Sequence, residues 1–322
     1  MDRPFNVDAA LTAIAIGYRN PATARIADRV LPRQPVTAEE FKYTVYPIEE
    51  AFNVPDARVG RRGQVQQLEF GGTEVTGATE DYGLDSPIPN SDIRSAEEAR
   101  ARGVSTYDPE GHSTMMLTDT IDNIREVRAA GIVFNPNVYA VGRKTTLAGG
   151  SQFSDYLNSD PIGVIRAGLD ATLVMRPNKM PMGRAVWSKL SSHPKIVNAV
   201  KGNVTDSGMV TIAQFAELFR DEGIDEVIVG DAWYNVAKPG QPTNLQRAWG
   251  KHLALIHINP LATPQGGGVT FGFTAQLGGR IAGRIIDPDI GLEGGIRVRV
   301  GERVKEVVSA QDVGYFIQNA VQ

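Results

Sequence analysis

Few residues in this chain could do chemistry. Four histidines stand at positions 112, 193, 252 and 257 in 322 residues that contain no cysteine. Disulfides and thiolate metal sites are therefore excluded. His252 and His257 share one predicted strand at an odd spacing, which turns them to opposite faces. No HExxH pattern or carboxylate–histidine cluster accompanies the four, and a zinc site needs such convergence. GRKTT at 142–146 fails as a phosphate loop: Arg143 replaces the glycine before Lys144, and Val138 stands where the first glycine belongs. Gly266, Gly267 and Gly268 with Gly272 do not make GxGxxG, and no helix follows them. Ser207-Gly208 lacks the preceding glycine of a nucleophile elbow. Asp287 and Asp289 could pair as carboxylates, but DPDIG reads better as a turn. Trp187, Trp233 and Trp249 are far apart and read as core or interface residues. No catalytic residue, metal ligand or cofactor is assigned.

What remains is charge strung along extended stretches. Arg19, Arg25, Arg29 and Arg33 are spaced along RNPATARIADRVLPRQPV. They belong either to a solvated segment or to an arm laid across a neighbouring subunit, paired to its acids. FKYTVYPI alternates as a strand, and VQQLEFGG is a candidate return strand. Arg58, Arg61 and Arg62 lie near the tip between them, and Glu74, Glu80, Asp81 and Asp85 follow. A two-stranded ribbon is marginal alone in water, so it must lie on another surface. The basic tip and acidic flank (Glu80, Asp81, Asp85) suggest tip-to-flank docking between subunits, although surface ion pairs are individually weak. Contact of Arg61-Arg62 with nucleic-acid phosphate is the lesser alternative, since two arginines do not make a patch.

These residues must be positioned by longer elements. The best helix of the first half is YDPEGHSTMMLTDTIDNIREVRAAG, with Asp108 as N-cap and Pro109 at the first helical position. Leu117, Ile121, Ile124 and Val127 form its apolar stripe, and Arg125, Arg128 and Gly131 suit its C-terminus. A short helix could form at Ala9–Ile16 and another from Ser95. Pro87 and Pro89 force an extended path through 81–93. From residue 150 to 260 the pattern is a compact α/β lobe. Its helix at Asp160-Pro161 carries Ile165, Leu169 and Leu173, and Thr211 with Gln214 forms a capping box that Gly223 closes. EVIVGDAWYN and HLALIHINP read as its strands. The last sixty residues are β, with IRVRV and VKEVV alternating strictly. Composition is globular, at 42% apolar and 22% charged. A net charge of −4 leaves no global nucleic-acid footprint. No apolar run reaches the roughly 18 residues of a membrane span.

The order of these elements resembles the major capsid protein of tailed bacteriophages, the Hong Kong 97-type fold of lambda-like capsid subunits that encapsulins also use. The resemblance is carried by FKYTVYPIEEAFNVPDARVGRRGQ with EDYGLDSPIPNSDI, by LTDTIDNIREVRAAGIVFNPNVY with GGSQFSDYLNSDPIGVI, and by GIRVRVGERVKEVVSAQDVGYFIQNAV, together with FAELF and WGKHLALIHINP. It implies an α+β chain: an N-terminal arm over 1–40, an extended β-hairpin loop over 41–90, and a peripheral domain over 91–149 with a spine helix near 108–130. An α/β axial domain over 150–275, long peripheral strands over 276–311 and a C-terminal strand over 312–322 returning to the axial domain complete it. It further implies a structural shell subunit, not an enzyme, forming hexamers and pentamers around double-stranded DNA. Expected partners are portal and scaffold proteins, a decoration protein and the packaged DNA without sequence specificity, with assembly in the host cytoplasm and no membrane. An encapsulin-type compartment is the nearest alternative and a soluble α/β enzyme a more distant one. The chain starts almost directly at the arm; if that is the full product, any scaffold is a separate protein. Some members crosslink their chains through a lysine at the loop tip. Here the tip carries arginines, so no crosslinking is expected.

Overall fold

The computed structural model of the chain describes residues 20–45, 52, 54, 56–59, 61, 63–65, 67, 73–202, 207–238, 240–262 and 268–322. Arg19, Arg62, Gly266, Gly267, the helix expected at Ala9–Ile16 and most of VQQLEFGG lie outside the described residues.

Two five-stranded sheets organise the molecule. The first is built on β13 (Gly295–Val308), whose alternation the sequence shows plainly. One edge pairs antiparallel along its length with β4 (Glu80–Pro89). The other edge pairs with β12 (Ile281–Asp287) and then with β11 (Gly272–Leu277). β1 (Arg33–Val36) adds to β11 in parallel. The extended path expected through 81–93 is strand as far as Pro89, where α2 (Asn90–Ala101) takes over. Pro87 and Pro89 fit because a proline only removes a donor, and β4 is an edge strand with no further neighbour among the described residues. The second sheet runs β5 (Lys144–Thr146), β14 (Gly314–Gln318), β10 (Leu253–Ile256), β6 (Lys179–Gly183), β7 (Glu226–Gly230). Both faces of its central strand β10 are covered, so that strand is apolar throughout. In β10, Leu253 and Leu255 enter one core while Ala254 and Ile256 enter the other.

The first core is closed by α4 (Pro161–Ala171), α5 (Arg184–Leu190), α6 (Pro194–Lys201) and α7 (Ile212–Glu217). Thr211 and Gln214 make the expected reciprocal cap, and Gly223 holds φ of 106° after the following turns. Ile165 and Leu169 are buried as expected, but Leu173 lies past the end of α4 and is exposed. The second core joins the lobe to the arm helix α1 (Ala27–Val30) and to the long helix α3 (Pro109–Val133). A shorter helix, α2 (Asn90–Ala101), precedes α3.

Trp249 is wholly buried against β7. The neighbouring Gly183 and Gly230, paired in register, make room for it. A Cβ on Gly183 would sit 1.9 Å from the Gly250 carbonyl oxygen and 2.1 Å from that of Trp249. Backbone, unlike a flexible side chain, cannot swing aside. Gly183→Ala is therefore expected to cost about 3 kcal/mol or more, seen as a lower midpoint in denaturant titration.

α3 starts as its sequence dictates, with the Asp108 carboxylate accepting from the Glu110 amide at 3.2 Å. It does not stop at Gly131. Ala130 and Val133 are buried, and their packing outweighs the roughly 1 kcal/mol that a glycine costs inside a helix. The face it buries also differs from the expected stripe. Ile121, Arg125, Ala129 and Val133 lie inward at four-residue steps, with Glu126 beside them. Ile124 stays partly exposed.

Candidate functional site

Arg125 and Arg128, read from sequence as C-terminal helix charges, are turned inward on the face of α3 that meets the arm, β13 and β4. Arg125 pairs with Asp28 of α1 at 2.8 Å and also donates to the Leu31 carbonyl and the Thr274 hydroxyl. Arg128 pairs with Glu306 at 2.9 Å and lies 3.5 Å from the Tyr82 ring centroid. Glu302, with a fully buried side chain, is the hub: Arg33 at 2.9 Å, Arg280 at 3.4 Å and Arg128 at 3.9 Å surround it. The pattern of β13 puts it there, because Val298, Val300, Glu302, Val304 and Glu306 share the inner face. Arg25 continues the seam outward to Asp119 and Asp122, and Asp122 also holds Arg280.

Glu126 ties three parts of the chain together. Its carboxylate accepts from the Ala27 amide at 2.7 Å and from the Trp249 indole at 2.6 Å. Burial pushes its pKa up, partly opposed by these two donors. Between arm and helix lies a cavity of about 500 Å³ lined by Arg25, Arg33, Arg125 and Arg280 with Asp28, Asp122 and Glu126.

The expected contact residues sort as follows. Arg25, Arg29 and Arg33 all pair within their own chain, Arg29 with Glu226 at 2.6 Å. The acidic flank is also engaged internally, on the outer face of β13. Asp85 takes a two-pronged contact from Arg299, its direct cross-strand partner, at 2.7 and 2.8 Å. Asp81 holds Arg303 at 3.1 Å, and Glu80 holds Lys305. The Arg299 hydrogen bond lowers the Asp85 pKa. Only Arg58 and Arg61 among the described arginine candidates extend outward, from a stretch where Phe52, Val54, Val59 and Val65 are exposed too. The ribbon at their base is β2 (Glu40–Val45) with β3 (Thr73–Ala78), and it rests Phe41 and Tyr43 on Phe273. β3 begins just past the return strand expected at VQQLEFGG.

The outward side of α3 borders a second, more apolar hollow of about 790 Å³. Ile124 and Val127 face Trp233 and Leu245 across it. Those two come from the hairpin of β8 (Trp233–Asn235) and β9 (Leu245–Arg247). The sequence stripe through Ile124 and Val127 thus marks a groove wall rather than the core.

The Ser159–His193 contact, the Asp287–Asp289 turn and the GRKTT lysine are structural. The Ser159 hydroxyl lies 2.9 Å from His193 Nε2, but His193 Nδ1 accepts from the Lys195 amide. The ring's proton is therefore on Nε2, donated toward serine, the wrong tautomer for a base. Asp287 Oδ1 accepts from the Asp289 amide, closing a turn. Lys144 donates to the Pro136 carbonyl. Trp187 and Trp249 are core residues, while Trp233 lies under Arg247. Among the described residues no group of histidines and carboxylates could hold a metal ion.

No family model matches the chain. It is 46% identical over 318 residues, 99% of its length and 98% of the relative's, to the major capsid protein of Pseudomonas phage JBD67. Among solved structures, a phage-related protein from Bordetella bronchiseptica RB50 superposes with a TM-score of 0.69 at 22% identity, covering 97% of both chains. The capsid of cyanophage P-SCSP1u superposes with a TM-score of 0.59 at 8% identity, covering 94% of this chain and 89% of that one.

Proposed function

The chain belongs to the family of phage major capsid proteins, and we propose that it builds its shell by laying the arginine-bearing loop beyond the β2–β3 ribbon over the α3 groove of a neighbouring subunit. Its role is structural, not enzymatic: it is a virion component that self-assembles into a capsid shell. The full-length identity to a phage capsid protein favours this over an encapsulin-type compartment. Among the described residues no helix is long and apolar enough to cross a membrane.

The observation that carries the docking reading is a matched pair of unfinished surfaces. The stretch from 52 to 67 exposes Phe52, Val54, Val59 and Val65 beside Arg58 and Arg61. The groove over α3 leaves Ile124, Trp233 and Leu245 partly bare. Each is too small to drive association alone, but repetition around hexamers and pentamers multiplies weak contacts into a stable shell. The arm, held by Arg25, Arg29 and Arg33 to its own chain, acts as a rigid edge of each subunit. Portal, scaffold and decoration proteins complete the particle, the inner surface meets packaged DNA without sequence specificity, and assembly proceeds in the host bacterial cytoplasm.

Reversing Arg61 and Arg62 together to glutamate is expected to leave unfolding of the subunit unchanged while reducing closed particles severalfold. Negative-stain microscopy beside size-exclusion chromatography reads this directly. Particles of normal number and shape from the double variant would reject loop docking through these arginines.

A further inference from the structure

Every carboxylate lining the arm–helix cavity is already engaged. Asp28 takes Arg33 and Arg125, Asp122 takes Arg25 and Arg280, and Glu126 takes the Ala27 amide and the Trp249 indole. The guanidinium groups are not used up. Arg125 is 2% exposed, and its Nε and Nη1 are buried without a partner; Arg25 Nε is the same. What Arg125 and Arg25 have left over is therefore donor capacity. Burial lowers the pKa of Arg125, opposed by Asp28, Glu302 and Glu306. Unspent buried donors of this kind are costly unless an acceptor reaches them. Guanidinium forks match the oxygens of a compact oxyanion two at a time.

We propose that the cavity between the arm, α3 and Arg280 is a binding site for a compact inorganic oxyanion of the phosphate class. Arg25 and Arg33 reach it from the arm, Arg125 from α3, and Arg280 from the turn between β11 and β12. The bound ion would clasp the arm to the helix and to the long-strand sheet at one point. Arg125 supplies the buried floor, and Arg280, about one-third exposed, stands nearest solvent. The inference does not rest on shell assembly. A chain that assembles normally yet takes no phosphate would remove this site and leave the capsid reading intact, and the reverse result would do the opposite.

The test is thermal unfolding of the purified full-length chain at pH 7, with inorganic phosphate titrated against sodium chloride at constant ionic strength. A saturable rise in Tm is expected, roughly 2 °C at phosphate about five times its Kd. Acetate and chloride should give none. Arg280→Gln should fold and raise the half-saturating phosphate concentration at least about tenfold, as expected for losing a charge-assisted contact. Arg125→Met should abolish the response if it folds. Line broadening of the phosphate phosphorus NMR signal by the wild-type chain reads binding without unfolding. A rise that tracks ionic strength alone, an equal rise with acetate, a response unchanged in Arg280→Gln, or an unbroadened phosphate signal would each overturn the proposal.

Discussion

Glu126→Leu is expected to lower the stability of the folded chain by roughly 3–5 kcal/mol, the range for removing one partner of a buried charged contact. The side chain is 2% exposed and holds two buried donors, the Ala27 amide and the Trp249 indole. Leucine fills similar space but leaves both donors facing an apolar group. The loss should be local before it is global. Ala27 starts the arm helix, so amide exchange over Ala27–Val30 should accelerate more than in β10 or β14. Glu126→Gln should cost less, because one oxygen still accepts. It also carries a pH signature. Burial raises the folded pKa of Glu126 above the ordinary 4.5. The folded state thus holds the proton more tightly than the unfolded chain. Its stabilising share is complete below 4.5 and is lost as pH rises through the folded value. Denaturant midpoints across that window should fall with rising pH in the native chain and flatten in Glu126→Gln. Equal slopes in the two proteins would mean that Glu126 titrates as an exposed carboxylate does.

That residue also shows where the sequence could be read and where it could not. The start of α3 was legible because Asp108 and Pro109 act locally, and the cap forms as their types require. The alternation in β13 was legible for the same reason, since period two needs no knowledge of partners. The buried face of α3 was not. Apolar periodicity selects Leu117, Ile121, Ile124 and Val127; of these Ile121 is buried while Ile124 is left partly exposed, and Arg125 and Glu126 are taken inside with Ile121. They are buried because Asp28, Trp249 and Thr274, distant in sequence, converge on them. No spacing rule announces that convergence. The acidic flank behaved likewise. Glu80, Asp81 and Asp85 look available in sequence, yet register with β13 sets each beside a cation more than 200 residues away. A cross-strand alignment of EDYGLD against RVRVGERVK would have found it, since acids then face bases. Arg58 and Arg61 stayed outward where a short basic loop would be expected to stay.

Glu302→Gln tests whether the inner seam is a structural clasp or mere decoration of a strand. Its side chain is fully buried among Arg33, Arg280 and Arg128, which come from the arm, a turn and α3. Neutralising it removes the negative centre from three guanidinium groups held in place by their other partners. The expected loss is roughly 3–5 kcal/mol, because buried cations are left undercompensated. The outer face of the same strand supplies the control. Asp85→Asn breaks a well-formed pair with Arg299, but that arginine is half exposed and water takes over its solvation. A clear separation between the two variants in denaturant midpoint is therefore expected, with only Glu302→Gln also freeing the arm amides to exchange. The asymmetry has a consequence for shell building. A subunit whose arm and helix are clamped by buried charge can move as one body, so stress placed on it during assembly goes to the weaker contacts between subunits. If Glu302→Gln and Asp85→Asn were equally mild, the clamp would have no such hold, and the arm would be free to move independently of α3.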